Sequence, residues 1–170
     1  METVYTIGHS THPIEVFIEM LQSFGVETLI DIRSIPWSSR FPQFNQELLS
    51  KSVEEAWIHY VYLKDLGGRR KVKKDSLNTA WTNASFRWYA DYMETDPWRK
   101  GLEELKEYAR KSVVAYMCSE AVRRRCHRSM VSDALKAQWR TVRHIMGIGK
   151  KMEHPYTAPA KVHWWKLSYH

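Results

Sequence analysis

Apolar and polar positions alternate along the chain with two spacings, which predict strands and helices in turn. Residues 4–8 form a short β-branched run that predicts a first strand, and the apolar run at 26–33 predicts a second. The segment between them predicts a helix at 12–25, because five apolar residues share one helical face: Val16, Phe17, Met20, Leu21 and Phe24. Pro13 suits the first turn of this helix, and Gly25 suits its end.

The middle of the chain is less regular. A short helix is predicted to begin near Asn45, and residues 58–68 alternate like a strand that ends at a glycine pair. Residues 69–83 are basic and polar, which predicts a long loop. Asn83 then predicts the cap of a further helix, because its side chain can accept hydrogen bonds from the first turn.

The last third returns to strong patterns. Asp96 and Pro97 are a typical cap and first-turn pair, and they predict the start of another helix. Residues 112–118 are the most strand-like segment of the chain. A helix at 127–139 and a last strand at 140–146 are predicted to follow, and glycine and proline break the pattern from there on.

Strands that alternate with helices predict βαβ units. We therefore expect an α/β fold with three layers, in which helices cover both faces of a mainly parallel sheet. The chain has 170 residues, which suits a single domain over residues 1–170 with a sizeable core.

Composition excludes several classes of protein. Hydrophobic residues make up 44% and charged residues 26%, which is typical of a globular chain. The apolar runs are too short for a membrane span, and the first residues lack the pattern of a signal peptide. Two cysteines are too few for a disulfide-stapled secreted scaffold. We therefore expect a cytoplasmic protein without a membrane partner, and the net charge of +7 favours an anionic partner.

Polar and reactive side chains follow three of the predicted strands. They are His9 and Ser10, Asp31 and Arg33, and Cys118 and Glu120. In open α/β sheets, ligands bind at the carboxyl ends of the strands. The sequence therefore predicts one shared site built from these three segments.

Arginines near the second strand predict that the ligand carries phosphate. Arg33 and Arg40 each present a planar fork of donors that suits oxyanions. Asp31 has a supporting role in this hypothesis. It lies two positions before Arg33, and residues two apart on a strand point to the same face. Two alternatives stay open: Asp31 and Arg33 form an ion pair that fixes the next loop, and His9 bonds to the backbone.

The stretch from Cys118 to Met130 concentrates most of the candidate chemistry. A helix that begins after a strand offers free N–H groups and a positive dipole to an anion, here near Cys126, His127 and Arg128. Cysteine beside arginine should have a lowered pKa, so Cys118 is the first candidate nucleophile and Cys126 the second. Glu120 is a candidate base. The alternative is that the arginine run is a solvated turn.

The two cysteines also raise the possibility of a metal or a disulfide. Cys118, Cys126 and His127 are ligands that suit zinc, with His9 as a fourth. Their spacing matches no familiar zinc motif, so we expect neither metal nor cofactor. A disulfide between the two cysteines stays open, because the sequence does not give their separation.

Two segments resemble the rhodanese pattern. "TLIDIRS" resembles its Asp-x-Arg strand end, and "VVAYMCSEAVR" resembles its cysteine loop, with Cys118 and Arg123 at the Cys-x4-Arg spacing. Arg124 also fits the longer spacing of the cysteine phosphatases. Ala121 stands where the loop usually has glycine. This resemblance implies thiol-dependent sulfur transfer as a third hypothesis on function.

A closer resemblance covers nearly the whole chain. Five motifs occur in order: "TIGHS", "LIDIRSIPWSSRFPQFN", "YLKDLGG", "FRWYADYM" and "MCSEAVRRRCHR". Together they resemble the family numbered 488 among the domains of unknown function. The resemblance implies a small intracellular α/β domain with one polar site. Its implied signature positions are His9, Ser10, Asp31, Arg33, Arg40, Gly67, Gly68, Cys118, Glu120, Cys126, His127 and Arg128.

The main alternative to a ligand pocket is nucleic-acid binding. A basic run at 68–74 lies beside an aromatic-rich segment, and the tail at 161–170 mixes lysines with tryptophans. Lysine and arginine contact phosphates, and aromatic rings stack on bases. Against this, the aromatic residues of the segment at 84–95 have helical spacing, which predicts a place in the core.

Three hypotheses on function follow. The first is a phosphate or anion site at the strand ends that acts on a nucleotide or nucleic acid, with enzyme activity left open. The second is a noncatalytic nucleic-acid-binding module, and the third is the sulfurtransferase. The oligomeric state is not indicated by any of these patterns.

Overall fold

A computed structural model of the chain describes residues 2–67, 74–122 and 126–170. Its strands are β1 (Thr3–Gly8), β2 (Thr28–Asp31), β3 (His59–Tyr62), β4 (Val114–Cys118), β5 (Thr141–Gly147), β6 (Lys150–Glu153), β7 (Lys161–His163) and β8 (Lys166–Ser168). Its helices are α1 (Ile14–Gln22), α2 (Gln46–Glu55), α3 (Ala84–Tyr92), α4 (Asp96–Lys111) and α5 (Arg128–Ala137).

Six of the described strands form one sheet in the order β3-β2-β4-β1-β5-β6. The first five are parallel, and β6 pairs antiparallel with β5. β7 and β8 form a separate antiparallel hairpin. Gly8 pairs with Cys118, and Asp31 pairs with Met117, so the carboxyl ends of β1, β2 and β4 are level. The predicted α/β fold with a mainly parallel sheet is confirmed.

Helices cover both faces of this sheet, as the alternation of patterns predicts. α1 and α2 bury Phe17, Leu21, Leu49 and Val53 against one face, and α3, α4 and α5 bury Tyr89, Leu105 and Leu135 against the other. Each large side chain that leaves water contributes about 1.5–3 kcal/mol, so these two apolar clusters hold the three layers together. The helices begin at one edge of the sheet, where the parallel strands end.

The predicted ends of the helices lie within three residues of the observed ends: α1 was predicted at 12–25 and α5 at 127–139. The Asn83 side chain caps α3 and accepts hydrogen bonds at 2.9 and 3.2 Å from the first turn. Pro13 lies just before α1 instead of in its first turn, and Thr95 lies at the cap position of α4 instead of Asp96. Gly25 has a φ of 67°, a left-handed conformation that suits the end of a helix.

One predicted boundary is wrong. Residues 140–146 were expected to be the last strand, but three further strands follow β5. β6 is an exposed edge strand with the sequence KKME, and charges on an edge strand remove the apolar alternation by which strands are predicted. Gly149, with a φ of 68°, lies in the turn between β5 and β6.

Two other expectations concern the loop and the membrane. Of the predicted loop at 69–83, residues 74–83 are turns and irregular structure, and 69–73 lie outside the described residues. Among the helices of the described ranges, none is long and apolar enough to cross a bilayer.

Candidate functional site

The carboxyl ends of β1, β2 and β4 meet in one place. The N–H of His9 donates to the carbonyl of Cys118 at 3.0 Å, and the N–H of Ile32 donates to the carbonyl of Met117 at 3.1 Å. These bonds continue the parallel ladders, so the segments after the three strands leave the sheet side by side.

The topology opens a crevice between β2 and β4. From β2 the chain passes through α2 to β3, and from β4 it passes through α5 to β5, on the opposite face and in the opposite direction. Neighbouring strands whose connections diverge in this way leave a gap at their carboxyl ends, where open α/β sheets bind ligands.

Two adjoining cavities of about 270 and 450 Å³ occupy this crevice, and we call them together the strand-end cleft. Arg33 and Glu120 line both cavities. The smaller one also has Cys118, Cys126 and His127 in its wall, and the larger one has His9 and Ser10.

The structure thus brings most of the sequence-predicted site residues together. Asp31 lies beneath Arg33, and Arg128 is buried behind the cleft. Arg40 is the exception: it lines neither cavity, it is exposed, and its guanidinium lies 5.7 Å from the centre of the Phe41 ring. Whether these residues bind a ligand stays a prediction.

Asp31 and Arg33 form a buried bidentate ion pair. Nε and Nη2 of Arg33 donate to the two carboxylate oxygens of Asp31 at 2.9 and 2.8 Å. Nη2 also donates to the carbonyl of Phe44 at 2.8 Å, and the Tyr60 hydroxyl donates to Asp31 at 2.6 Å. The pair has no net charge and fixes the guanidinium against the next loop, so Arg33 offers a rigid donor with little excess positive charge.

His9 is a neutral acceptor at neutral pH. Its ring is 3% exposed and stacks on Phe44 at 4.2 Å between centroids. Burial lowers the pKa of His9 to about 4. The Nδ1–H group donates to the carbonyl of Ser10 at 2.8 Å, so the lone pair is on Nε2.

The two cysteines of the smaller cavity have opposite environments. The Cys118 thiol donates a hydrogen bond to the carbonyl of Glu120 at 3.7 Å. Burial, together with the nearby Cys126 thiol, raises the pKa of Cys118 well above the ordinary value. Burial alone would raise the pKa of Cys126 as well. The neighbouring Cys118 thiol and the positive charge of Arg128 outweigh burial, so the pKa of Cys126 is lowered.

Cys126 also lies at the start of α5. The backbone N–H of Arg128 donates to the Cys126 sulfur at 3.4 Å, which directs the positive end of the helix dipole at this atom. Nε2–H of His127 donates to the carbonyl of Ile32 at 3.3 Å, so its Nδ1 carries the lone pair, 3.8 Å from the Cys126 sulfur. Burial lowers the pKa of His127, which favours this neutral form. The arrangement suits a thiolate at Cys126.

Arg128 supplies the charge behind both thiols. It is 2% exposed, and its Nη2 donates to the carbonyls of Glu120 and Ala121 at 3.3 Å each. Its Nε has no hydrogen-bond partner among the described atoms. No carboxylate of the described ranges lies within ion-pair distance of this guanidinium. A buried positive charge therefore lies beside the cleft with no paired carboxylate in the described part of the chain.

Two residues that hold the site residues in place were not predicted from the sequence. Tyr60 bonds to Asp31 across 29 positions of the chain, and Phe44 holds both the Arg33 guanidinium and the His9 ring. Both residues follow ordinary apolar patterns, so no local signal separates them from core residues. Phe86 and Tyr89 also line the smaller cavity, although their spacing predicts only a place in the core.

Several expectations fall partly outside the described residues. Gly68, Arg123 and Arg124 lie there, so the spacings that resemble rhodaneses and phosphatases stay predictions. Over residues 2–67, 74–122 and 126–170, no group of three or more histidines, cysteines or carboxylates is arranged to hold a metal ion.

Comparison with known proteins gives one match. The family model described as Domain of unknown function DUF488 matches residues 13–135, which include α1 to α4 and most of α5. Searches of the curated proteins and of the solved structures found no match. The matched segment contains β2, β4 and the start of α5, and thus two of the three segments that form the strand-end cleft. Because the match extends over more than half of the sequence, the chain belongs to the DUF488 family.

Proposed function

We propose that the strand-end cleft binds a phosphate-bearing ligand, with a nucleotide as the substrate class. The observation that carries this proposal is the buried guanidinium of Arg128, which has an unpartnered Nε and no paired carboxylate among the described residues. A buried charge is costly unless an opposite charge or hydrogen bonds compensate it. An anion in the neighbouring cleft would supply that compensation.

Other features of the cleft also suit an anionic ligand. The positive end of the α5 dipole is directed into the smaller cavity at Cys126. Arg33 lines both cavities, held rigid by Asp31, and a fixed guanidinium binds an oxyanion with little loss of side-chain entropy. The neutral His9 contributes an acceptor that suits a ligand hydroxyl.

Aromatic side chains at the rim favour a nucleotide over inorganic phosphate. Phe86 and Tyr89 line the smaller cavity, and Trp37 and Phe41 line the larger one. Trp37 is 64% exposed, so an incoming base has a ring face available for stacking. Stacking on an aromatic side chain contributes about 1–3 kcal/mol per base.

Calorimetric titration at low salt tests this proposal. The probes are inorganic phosphate, sulfate and a set of nucleoside monophosphates. We expect saturable binding with one site, and tighter binding of the nucleotides than of phosphate. The informative variant is Arg128→Met, which removes the unpaired charge and leaves no carboxylate without a partner. Replacing a buried charge by a well-packed apolar side chain is often neutral or stabilising, so this variant should stay folded.

Arg128→Met should weaken nucleotide binding by at least tenfold, because a charge-assisted interaction contributes about 1.5–3 kcal/mol. Arg99→Met is the matched control, since Arg99 is exposed on α4 and lines neither cavity of the cleft. Absence of binding of every probe to the unmodified protein, or equal binding by both variants, would contradict the proposal.

A second candidate function has its own observation. The turn of the β7–β8 hairpin consists of Trp164 and Trp165, which are 75% and 58% exposed, between the exposed Lys161 and Lys166. Exposed rings beside cations suit single-stranded nucleic acid. The basic run at 68–74, the other half of this hypothesis, lies almost wholly outside the described residues.

Salt dependence separates the two functions. A module that works through the hairpin should bind oligonucleotides with a log–log salt slope of about −0.7 per neutralised phosphate. A Trp164→Ala/Trp165→Ala double variant should then lose binding, and Arg128→Met should keep it. The reverse pattern, with nucleotide binding lost only in Arg128→Met, supports the cleft.

A further inference from the structure

We propose that Cys118 and Cys126 form a redox-active dithiol, in which Cys126 reacts with a small hydroperoxide and Cys118 then closes an intramolecular disulfide. This activity goes beyond ligand binding in the cleft and does not depend on it. It rests on the placement of the two thiols, which line the same cavity, and on the contacts that the Cys126 sulfur makes with the Arg128 N–H and the His127 ring.

Cys126 has the environment of the attacking sulfur. It accepts a hydrogen bond from the Arg128 N–H at 3.4 Å, and the Arg128 guanidinium adds a positive charge nearby. His127 places an unprotonated Nδ1 3.8 Å from the same sulfur, where it can receive the thiol proton. The thiolate is the reactive form of cysteine, and these contacts favour it.

Access is restricted to small molecules. Cys126 is 6% exposed and Cys118 is 2% exposed, but both lie in the wall of a cavity of about 270 Å³. A hydroperoxide fits this space, whereas a protein disulfide does not reach either sulfur without opening the cleft. A small peroxide is therefore the oxidant that the geometry favours.

Cys118 has the environment of a resolving thiol. It stays protonated, because burial and the nearby Cys126 thiol disfavour the thiolate. Both cysteines are free thiols in this structure. A disulfide needs the two sulfurs at about 2.05 Å, so the two cysteine side chains have to approach each other when the bond forms.

The proposed reaction has two steps. The Cys126 thiolate attacks one oxygen of the hydroperoxide, the O–O bond breaks, and the alcohol or water leaves with a proton; the products include a sulfenic acid at Cys126. The Cys118 sulfur then attacks the Cys126 sulfur, the S–O bond breaks, and water leaves with the Cys118 proton. One peroxide is reduced by two electrons and the two thiols are oxidised to one disulfide.

Mass spectrometry of the intact, fully reduced chain tests the proposal. Addition of one equivalent of hydrogen peroxide should lower the mass by two hydrogens, and a non-reducing peptide map should link Cys118 to Cys126. Dithiothreitol should restore the original mass. In Cys118→Ser, dimedone should trap a sulfenic acid at Cys126, and in Cys126→Ser the remaining Cys118 should stay unmodified over the same time.

A measurement on the unmodified protein keeps the test independent of variant folding. Limited alkylation with iodoacetamide under native conditions should label Cys126 first and Cys118 only after Cys126. Preferential labelling of Cys118, peroxide products at Cys118 alone, or disulfides between chains without the internal bond would each overturn the assignment. Stable sulfenic acid at Cys126 in the unmodified chain would exclude Cys118 as the resolving thiol.

Discussion

At the scale of single residues, the two thiols show which features of a reactive site a sequence pattern can predict. The crowding of cysteine and arginine predicts a reactive thiol, and it favours Cys118 because that residue ends the strand. The structure gives the lowered pKa to Cys126 instead, because the Cys118 thiol and the charge of Arg128 lie near its sulfur and the Arg128 N–H donates to it. Both partners are contacts in space, so the sequence identifies the cluster but does not rank its members.

The first prediction concerns Arg128 and the reactivity of Cys126. Arg128→Met should raise the pKa of Cys126, since a nearby opposite charge commonly lowers a pKa by about 1–3 units. The rate of iodoacetamide labelling at Cys126 near pH 7.5 should then fall by about tenfold. Peptide mapping after timed labelling measures the rate. An unchanged rate, with Arg99→Met as the control, would show that the guanidinium does not act on the thiol.

The second prediction concerns His9 and the pH dependence of stability. Burial lowers the pKa of His9 from 6.5 to about 4. Between these pH values, His9 binds a proton in the unfolded chain but not in the folded chain. The free energy of unfolding should therefore be at its full value above pH 6.5 with respect to His9, and it should fall as the pH decreases toward 4. Each pKa unit corresponds to 1.36 kcal/mol, so His9 accounts for about 2.5 kcal/mol of this loss by pH 4.5.

Urea unfolding of the unmodified chain and of His9→Asn, at several values between pH 7.5 and 4.5, measures this effect. His9→Asn should lose less stability over this range than the unmodified chain, although His127 keeps part of the slope because burial lowers its pKa too. His163→Asn, an exposed position in β7, should behave like the unmodified chain. Equal slopes for all three proteins would contradict the assignment.

At the scale of elements, the close approach of β1 to the loop after β4 positions the cleft. Gly8 ends β1, and a Cβ atom at this position would collide with the backbone carbonyl of Glu120. The predicted strand end at His9 and Ser10 locates the segment correctly, but this contact joins positions more than a hundred residues apart. The residues around Gly8 therefore give no indication of this contact with Glu120.

The third prediction follows from that contact. Gly8→Ala should destabilise the chain by about 1–3 kcal/mol, the usual cost of an added methyl group in a tightly packed site. It should also weaken nucleotide binding, because the loop that carries Glu120 lines both cavities. Thermal unfolding and calorimetry measure the two effects. Gly147→Ala is the matched control, since its added Cβ would lie 3.5 Å from the flexible Lys150 side chain.

If Gly8→Ala were as stable as Gly147→Ala, the close packing of β1 against the loop would be refuted. Normal stability with normal binding would in addition show that the position of this loop does not affect the cleft. A stable variant with impaired binding would separate the local effect on the site from the global effect on folding.

At the scale of the whole molecule, the sheet and its helices follow from the alternation of patterns, but the C-terminal segment does not. β6, β7 and β8 have the sequences KKME, KVH and KLS, which are too short and too polar to show where they pack. The structure shows that a buried carboxylate on α5 joins several parts of this segment. Asp133 is fully buried and lies on the same helix whose first turn contacts Cys126.

Asp133 accepts hydrogen bonds from three residues of the C-terminal segment. His154 donates through Nε2 at 2.8 Å, the Tyr169 hydroxyl donates at 2.7 Å, and Thr157 donates through its N–H and its hydroxyl at 3.0 and 2.5 Å. The network continues inward, since His144 donates through Nε2 to Nδ1 of His154 at 2.8 Å. A single carboxylate thus connects α5, the sheet and the end of the chain.

The last prediction concerns this connection. Asp133→Asn should destabilise the chain by about 3 kcal/mol, because the amide cannot accept all of these hydrogen bonds and leaves buried donors unpaired. Tyr169→Phe removes only one hydrogen bond and should destabilise the chain by about 1–2 kcal/mol. Limited proteolysis of Asp133→Asn should cleave the C-terminal segment before the sheet, since only that segment loses its main attachment to α5. Urea unfolding gives the two stability changes and a peptide map gives the cleavage sites. Equal losses in both variants, or first cleavage within the sheet, would show that Asp133 is one ordinary core contact and that the C-terminal segment is held by other means.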